Sequence, residues 1–274
     1  MPKDVIRNWD HYAAKDSTLG ELFNKHSRTS TAEELIEVMD ETEINIAVVL
    51  GMGWADNSFN SHINDYILDS YKTFPDRLIP LTGVVPLSGD VGIYEAERCI
   101  ALGSKGFGEI HLSSQGINIS NMDSIRPYVN LLVSHGFPTV IHASEPVGHK
   151  YPGKGTTTPK ILESFIHNFP KLKVILAHWG GGMFLYELMP EIESSFRNVY
   201  YDSSATPLLY DKHVFEIAVK VVGAGKILFG SDYPLVHPRR VMDEIAHSNF
   251  NHSEVHAMFF SNAKKLFTVN QIVG

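Results

Sequence analysis

Three residues of metal-binding type, His142, His178 and Asp232, each stand at the carboxyl end of a short apolar run. Burying an unpaired imidazole or carboxylate there is costly, so each group is expected to have a partner or a bound cation. Two imidazoles and a carboxylate make a mixed nitrogen and oxygen donor set that suits zinc, manganese or iron. The pattern therefore predicts a divalent-metal site around these three residues, with zinc as the first choice and manganese or iron as alternatives.

Other ionisable residues occupy the same kind of position. Glu109 and His111 lie in the run GFGEIHL, and Asp202 lies in NVYYDS. Glu109 and His111 are two residues apart and would share one face of a strand, and one of the two is expected to reach the site. A single strand-end histidine is more often hydrogen-bonded to the backbone than bound to metal. The ordered series of such residues is what favours a functional interpretation.

The elements that would position these residues alternate regularly along the chain. Apolar runs, each followed by a helical pattern, occupy residues 44–50, 78–86, 105–112, 138–142, 173–178, 198–203 and 226–232. Continuous apolar runs of this length are typical of parallel strands that are buried on both faces. Helices are predicted at residues 31–42, 58–74, 90–102, 124–135, 158–169, 183–196, 211–222, 238–248 and 253–267. No linker or low-complexity segment interrupts this alternation, which predicts a single domain over residues 1–274.

Two parallel α/β architectures compete. A doubly wound sheet would usually carry a glycine-rich phosphate turn after an early strand, and none follows residues 44–50. A closed (β/α)8 barrel of the TIM type fits better, and its strand ends would gather on the face where active sites are built. Such a barrel needs eight strands, whereas only seven apolar runs are present. The missing strand should precede residue 44, where residues 4–9 are a weak candidate, so we predict a barrel whose first strand is missing or degenerate.

Length, composition and charge limit the classes of function. The 274 residues, 43% hydrophobic and 20% charged, suit one barrel with a large core. A net charge of -8 gives no electrostatic reason to expect nucleic-acid binding. Cys99 is the single cysteine, so no internal disulfide can form. Neither a membrane-spanning run nor a signal-peptide pattern is recognised, which predicts a cytoplasmic protein without membrane partners.

Four segments together resemble the later strands of the amidohydrolase-related family: TVIHASEP (139–146), ILAHWGGG (175–182), VYYDSSA (199–205) and ILFGSDYPL (227–235). That family groups metal-dependent hydrolases with non-oxidative decarboxylases of the aminocarboxymuconate semialdehyde decarboxylase type, and the resemblance spans about residues 33–267. It implies that His142 binds metal and that Asp232 binds metal or holds the attacking water. It also implies that His178 is either a second-metal ligand or a catalytic acid/base, and that the HWGGG block forms a tight turn.

One segment and one absence complicate the ligand set. GFGEIHL resembles the GEIGL motif of TatD-like metal hydrolases, in which the glutamate bridges two metals, so Glu109 is expected either to bind metal or to contact a ligand or substrate. Family members normally open with a strand carrying His-x-His, but here Asp10 and His11 are adjacent and would point to opposite faces. Either the sequence begins downstream of that strand, which we favour, or this homologue has lost those ligands. In the first case metal binding would be weak or absent.

The residues and the resemblance together lead to a functional prediction. The leading hypothesis is a metal-dependent hydrolase that acts on a small polar or carboxylated substrate through metal-activated water, with His178 and Asp232 as catalytic residues. The alternatives are a non-oxidative decarboxylase on the same scaffold and a non-catalytic barrel. Substrate contacts are predicted at Trp54, His111, Trp179 and His237, and residues 147–159 are a candidate lid. The only partners expected are a small-molecule substrate and, from the resemblance, a second copy in a homodimer.

Overall fold

The computed structural model describes residues 1–267 and contains seven parallel strands, each close to a predicted apolar run but shorter. The strands are β1 (Ala47–Leu50), β2 (Leu78–Leu81), β3 (Phe107–Ile110), β4 (Pro138–Ile141), β5 (Lys173–Leu176), β6 (Val199–Asp202) and β7 (Ile227–Leu228). β1 pairs with β2, and β3 to β7 form a second sheet in chain order. A bridge between Thr82 and Phe107 connects the two sheets. Strand neighbours therefore follow the order of the sequence, without the reversal that defines a doubly wound sheet.

The two sheets share one apolar interior. Side chains from six strands meet in one apolar cluster, namely Val48, Ile79, Leu81, Val140, Ile175, Tyr200 and Leu228. Leu266 and Phe267 from the last described helix pack into the same cluster. A larger apolar cluster lies between the strands and the surrounding helices. Together they give the two-layered core of an α/β protein, with helices packed outside a parallel sheet. Within residues 1–267, no ladder joins β1 to β7.

Most of the predicted helices are present with ends that shift by a few residues, but the helix predicted over residues 183–196 is replaced by a 3₁₀ segment and a short helix. The α-helices are α1 (Lys3–Arg7), α2 (Trp9–Lys15), α3 (Ser17–Leu22), α4 (Ala32–Glu41), α5 (Asn57–Thr73), α6 (Asp90–Ala101), α7 (Arg126–His135), α8 (Pro159–Asn168), α9 (Pro190–Ser195), α10 (Thr206–Leu209), α11 (Val214–Val222), α12 (Pro238–Ala246), α13 (His252–His256) and α14 (Asn262–Phe267). Shorter 3₁₀ segments are Pro86–Ser88, Met122–Ile125, His178–Leu188 and Ala224–Lys226, and a π-turn spans Ala257–Ser261. None of the helices in this part of the chain is long and apolar enough to cross a membrane.

Residues 1–30 differ from the weak expectation of a strand at residues 4–9. This stretch forms α1, α2 and α3, and no strand precedes β1 among the described residues. The apolar pair Val5 and Ile6 is too short for a buried strand, and Val5 packs instead with Leu19 and Phe59 in a small separate cluster. Local helical turns satisfy the backbone groups that a strand would have left for a neighbour.

A buried ion pair ties α5 and α6 to the loop after β2. The Glu95 carboxylate accepts hydrogen bonds from Asn64 at 2.9 Å and from Arg98 at 2.8 and 2.9 Å. Asn64 also exchanges two hydrogen bonds with the backbone of Gly83. Burial pushes the pKa of Glu95 up, but the hydrogen bonds from Arg98 and Asn64 outweigh it and hold the pKa below its usual value. The ionised carboxylate therefore stabilises this side of the fold.

Glu95→Gln is expected to lower the free energy of unfolding by about 1–2 kcal/mol at pH 7, because hydrogen bonds to a charged acceptor are lost. Since the folded-state pKa is depressed, the wild-type advantage is complete above the unfolded pKa of about 4.3 and is lost as the pH falls through the folded value. Urea unfolding at pH 7 and at pH 3 measures this. Glu97→Gln, at an exposed position on the same helix, is the control. An unchanged wild-type advantage at pH 3 would contradict the assignment.

Candidate metal centre

Three buried side chains from neighbouring strands meet at the carboxyl ends of β3, β4 and β5. Glu109 lies within β3, His142 directly follows β4, and His178 lies two residues beyond the end of β5. One potential ligand atom from each lies within 4.8 Å of the other two. Glu109 Oε1 is 2.8 Å from His142 Nδ1 and 3.5 Å from His178 Nε2. The structure thus brings together two of the three residues first singled out from the sequence, with Glu109 as the third member in place of Asp232.

The charges in this group favour a cation beside Glu109. Burial works against an ionised Glu109, but hydrogen bonds from His142 and His178 outweigh it and hold the pKa of Glu109 well below its usual range. Burial likewise opposes a charged His178, yet Glu109 raises the pKa of His178 to about 10. A buried carboxylate needs a compensating positive charge, and either a proton on an imidazole or a metal ion can supply it.

The orientation of His178 is fixed from its other side. Its backbone takes φ of 55°, and its N–H donates to Asp202 Oδ1 at 3.1 Å. Its Nδ1 lies 2.9 Å from Ser204 Oγ and 3.2 Å from Ser204 O. These contacts leave Nε2 directed towards Glu109. A second ring nitrogen held by a hydroxyl or carbonyl is a common feature of metal-binding histidines.

The HWGGG block forms the tight turn that the sequence predicts. Trp179, Gly180, Gly181 and Gly182 all have positive φ, between 59° and 89°. At Gly181, an added Cβ would lie 2.4 Å from Ser144 O, so the β5 turn can approach the β4 loop only with glycine here. This close approach brings His178 beside His142, whose Nε2 lies 3.2 Å from both Ser144 Oγ and Lys154 O.

His111 reaches the site together with Glu109, whereas only one of the two was expected to do so. Its ring stacks on that of His142, with 4.0 Å between ring centroids. Burial and the neighbouring His142 lower the pKa of His111 to about 3, so the ring is neutral. Among the described residues its buried Nδ1 has no hydrogen-bond partner. The period of two gave the correct face, but β3 ends at Ile110, so His111 is no longer constrained by the strand.

Asp232 lies four residues beyond β7, with φ of 63°. Crowding by protein atoms raises the pKa of Asp232 to about 6, and the charges of Glu109 and Asp202 add to the rise while His178 opposes it. Part of the residue faces solvent, and water there moderates the effect. The Asp232 carboxylate is therefore influenced by the charges of Glu109 and His178 while it remains partly exposed to solvent. Its oxygens do not belong to the set of ligand atoms from Glu109, His142 and His178 that lie within 4.8 Å of one another.

The residues present fit a divalent metal. Glu109, His142 and His178 supply one carboxylate and two imidazoles, the donor types that zinc and manganese accept. His111 lies beside them, and its buried Nδ1 has no hydrogen-bond partner among the described residues. This atom is therefore available to a ligand or to a polar group of the substrate. The carboxyl ends of parallel strands are also where α/β barrels carry their active sites.

The aromatic residues predicted to contact substrate lie deeper than expected. Trp179 is fully buried, and its indole N–H donates to Thr206 Oγ1 at 2.8 Å in the core beside Phe215. The positive φ of the turn directs this side chain behind the site instead of into it. Trp54 is 1% exposed and packs edge-on against Phe59, and its indole nitrogen has no partner among the described residues. Trp179 therefore packs in the core between strands and helices, away from the Glu109 group, whereas a substrate contact by Trp54 stays a prediction.

His237 begins a helix. Its Nδ1 accepts the N–H of Arg239 as the N-cap of α12, and its Nε2 lies 3.9 Å from Glu41. Helix capping accounts for its position. His111 remains the predicted substrate contact that lies beside the metal site, since its ring stacks on that of His142.

Three polar residues at the site were not predicted from the sequence. Ser144 and Ser204 contact the two histidines, and the Gln115 backbone N–H donates to His111 O at 2.9 Å. Gln115 donates both amide hydrogens, to Trp54 O and Val84 O, so its unpartnered Oε1 is fixed in place. The seryl residues lie within the segments that resemble the family, two residues after His142 and Asp202, and that repeated spacing is the signal that could have found them.

A parallel α/β fold with a buried Glu-His-His group at its strand ends is typical of metal-dependent enzymes. A sequence profile described as Amidohydrolase matches residues 29–269, and the chain belongs to this family of metal-dependent enzymes. A comparison with curated proteins returns no match.

Solved structures with the same fold include decarboxylases. A dihydroxybenzoic acid decarboxylase from a Polaromonas species, with bound manganese and 2-nitroresorcinol, superposes with a TM-score of 0.73 at 16% identity and covers 98% of this chain and 95% of its own. A 5-carboxyvanillate decarboxylase from Novosphingobium aromaticivorans, also with manganese, gives 0.74 at 19% identity, with 98% and 90% covered. A putative amidohydrolase from Staphylococcus aureus gives 0.72 at 20% identity, with 86% and 91% covered. These similarities concern the fold.

Proposed function

We propose that this chain is a metal-dependent non-oxidative decarboxylase that acts on a small hydroxylated aromatic carboxylate. The observation that carries the proposal is the buried Glu109–His142–His178 group at the strand ends. The similar folds of two manganese-containing decarboxylases support decarboxylation over the hydrolysis first favoured from the sequence. The same two structures make manganese the first metal to test, with zinc second. The substrate is thus a small molecule, and a homodimer stays a prediction from the family resemblance.

In the proposed reaction, Glu109, His142 and His178 hold the metal. When bound, the metal would supply positive charge that anchors the carboxylate and a neighbouring hydroxyl of the substrate. Asp232 stands at the open side of the group and would donate a proton to the ring carbon that bears the carboxylate. The carbon–carbon bond then breaks, its electron pair restores the aromatic ring, and carbon dioxide leaves. His111, neutral and with a free ring nitrogen, would contact a polar group of the substrate.

We also propose a specific arrangement of the seven strands. The seven strands would occupy seven positions of an eight-stranded barrel, in which no strand from the described residues fills the position between β7 and β1. Support comes from the strand order and from the interior apolar cluster, to which six of the seven strands contribute side chains. In that arrangement Glu109 would take over part of the binding that a first-strand His-x-His provides in other members.

The protein loaded with manganese or zinc is expected to release carbon dioxide from a dihydroxybenzoate or a carboxyvanillate. In D₂O, the product should carry one deuterium at the vacated ring carbon, as detected by mass spectrometry, because the ring carbon takes its proton from Asp232, which exchanges with solvent. A parallel panel of esters, lactones and amides tests hydrolysis. Turnover in that panel without any decarboxylation would overturn the proposal in favour of the hydrolase hypothesis. The Glu109→Gln variant controls for contaminating activity.

A further inference from the structure

Residues 1–30, which we call the N-terminal segment, contact the loops that follow four different strands. After β1, Asp16 Oδ2 accepts the backbone N–H groups of Ala55 and Asp56, each at 2.8 Å. After β3, Ser114 Oγ donates to Glu21 Oε1 at 3.1 Å. These loops leave the same ends of the strands that carry Glu109 and His142. The contacts of Asp16 and Glu21 therefore place this part of the segment on the face that carries the metal site.

The contacts continue on the other side of that face. After β4, Gly153 faces Leu22, whose Cδ2 would lie 3.8 Å from a Cβ at this glycine. After β7, Arg28 donates to Leu235 O at 3.3 Å, and the hydroxyls of Ser30 and Tyr233 are 3.5 Å apart. The N-terminal segment thus extends from the β1 loop across to the loop that contains Asp232. Because it contacts loops on several sides of the face that carries the metal site, we call this segment the roof.

Asp16 is the strongest attachment of this roof. It is fully buried, and its carboxylate accepts five hydrogen bonds. Three come from Thr18 and Leu19 and cap α3, while the other two come from the β1 loop. All five donors are N–H or O–H groups, so the position requires an acceptor with two oxygens. An asparagine would have to turn its own N–H groups towards some of these donors.

An apolar contact lies beside this attachment. Leu19, Trp54 and Phe59 pack in a small cluster separate from the main core, and the Phe23 ring lies 6.3 Å from that of Trp54. The carboxylate of Asp16 fixes both partners of this contact, the segment through α3 and the loop through Ala55 and Asp56. Moving Asp16 would therefore move the roof and the Trp54 loop together.

We propose that Asp16 is a positioning residue that holds the N-terminal segment as a roof over the substrate site. This inference rests on the proposed function for its substrate, a hydroxylated aromatic carboxylate. The roof would limit the room beside the substrate ring, while Asp232 keeps its contact with solvent. The proposed metal ligands lie in β3 and just after β4 and β5, so they are positioned by the strands and not by the roof. Loss of Asp16 should consequently weaken substrate binding and leave metal binding intact.

Two variants separate this role from simple helix capping. Asp16→Asn keeps one acceptor oxygen and places an N–H₂ group against the donors on the other side, either those of α3 or those of the β1 loop. Asp16→Ser keeps an N-cap oxygen for α3 but has no second oxygen for the β1 loop. Asp10→Asn, at an exposed position on α2, is the matched control. With manganese bound, both Asp16 variants are expected to raise KM for a dihydroxybenzoate by about tenfold or more, with a smaller change in kcat and an unchanged metal content, since uniform binding is what is lost.

A second readout does not require turnover. Limited proteolysis should cut the N-terminal segment of both Asp16 variants faster than that of the wild type, and hydrogen exchange at Ala55 and Asp56 should accelerate. Wild-type KM, proteolysis and exchange in both variants would overturn the proposal. If the wild type shows no decarboxylation, the proposed function fails, and the roof is then judged by proteolysis and exchange with manganese and dihydroxybenzoate added. Protection that is greater in the wild type than in the variants supports it, and equal protection overturns it.

Discussion

Glu109→Gln is expected to lower the affinity for divalent metal by at least about 10–100-fold, the loss usual when even an indirect partner of a metal ligand is removed. The amide carries no charge, so the buried cation beside His142 and His178 loses its compensating carboxylate. The amide N–H₂ would also compete with the metal for the histidine nitrogens. Metal content by mass spectrometry after dialysis at a fixed manganese or zinc concentration measures the effect, and decarboxylation should fall in parallel.

Glu145→Gln provides the control for this loss of charge. Glu145 lies in the loop after β4 on the same side of the molecule, and its carboxylate accepts a hydrogen bond from Tyr151 instead of from a histidine. Its replacement should leave the metal content near that of the wild type. Circular dichroism would exclude unfolding as the cause in either variant. Wild-type metal affinity in Glu109→Gln, with the fold intact, would show that this group is not the metal centre.

Much of the scaffold and part of the site could be predicted because buried strands and helices have recognisable patterns of apolar residues in the sequence. Strands that are covered on both faces read as continuous apolar runs, so a polar His142 at the end of such a run is conspicuous. Amphipathic helices such as α5 and α6 came within one residue of their observed ends. Parallel strands gather their ends on one face, and from that rule alone His142 and His178 were expected to meet.

What the sequence did not predict depends on backbone geometry and on distant contacts. A single helix was predicted over residues 183–196, but the chain forms a 3₁₀ segment, His178–Leu188, and then α9. The interruption follows from the positive φ values at Trp179 and the three glycines, which no apolar period records. The roof formed by residues 1–30 is equally invisible, because it depends on hydrogen bonds between segments far apart in the chain, such as Asp16 with Ala55.

Trp179→Ala is expected to lower the free energy of unfolding by about 3–5 kcal/mol, the usual cost of truncating a fully buried tryptophan. The ring is fully buried, packs edge-on against Phe215 at 5.0 Å, and donates a hydrogen bond to Thr206. The variant would leave a cavity, and the Thr206 hydroxyl would lose its indole donor while still donating to Ser203 O. Thermal melting should show a fall of roughly 10 °C, at about 2–4 °C for each kcal/mol in a protein of this size. Tyr186→Ala, at a position 47% exposed on the same segment, should change stability by no more than about 0.5 kcal/mol.

Trp179→Phe distinguishes this core role from the substrate contact that the sequence suggested. Phenylalanine keeps most of the packing against Phe215 and loses only the N–H donor to Thr206, so the expected loss of stability is about 1–2 kcal/mol. Because the ring lies behind the site, KM for a dihydroxybenzoate should be unchanged in this variant with manganese bound. A raised KM together with wild-type stability would instead place the indole against the substrate. It would also require the turn from His178 to Gly182 to adopt a second arrangement that brings this side chain to the metal centre.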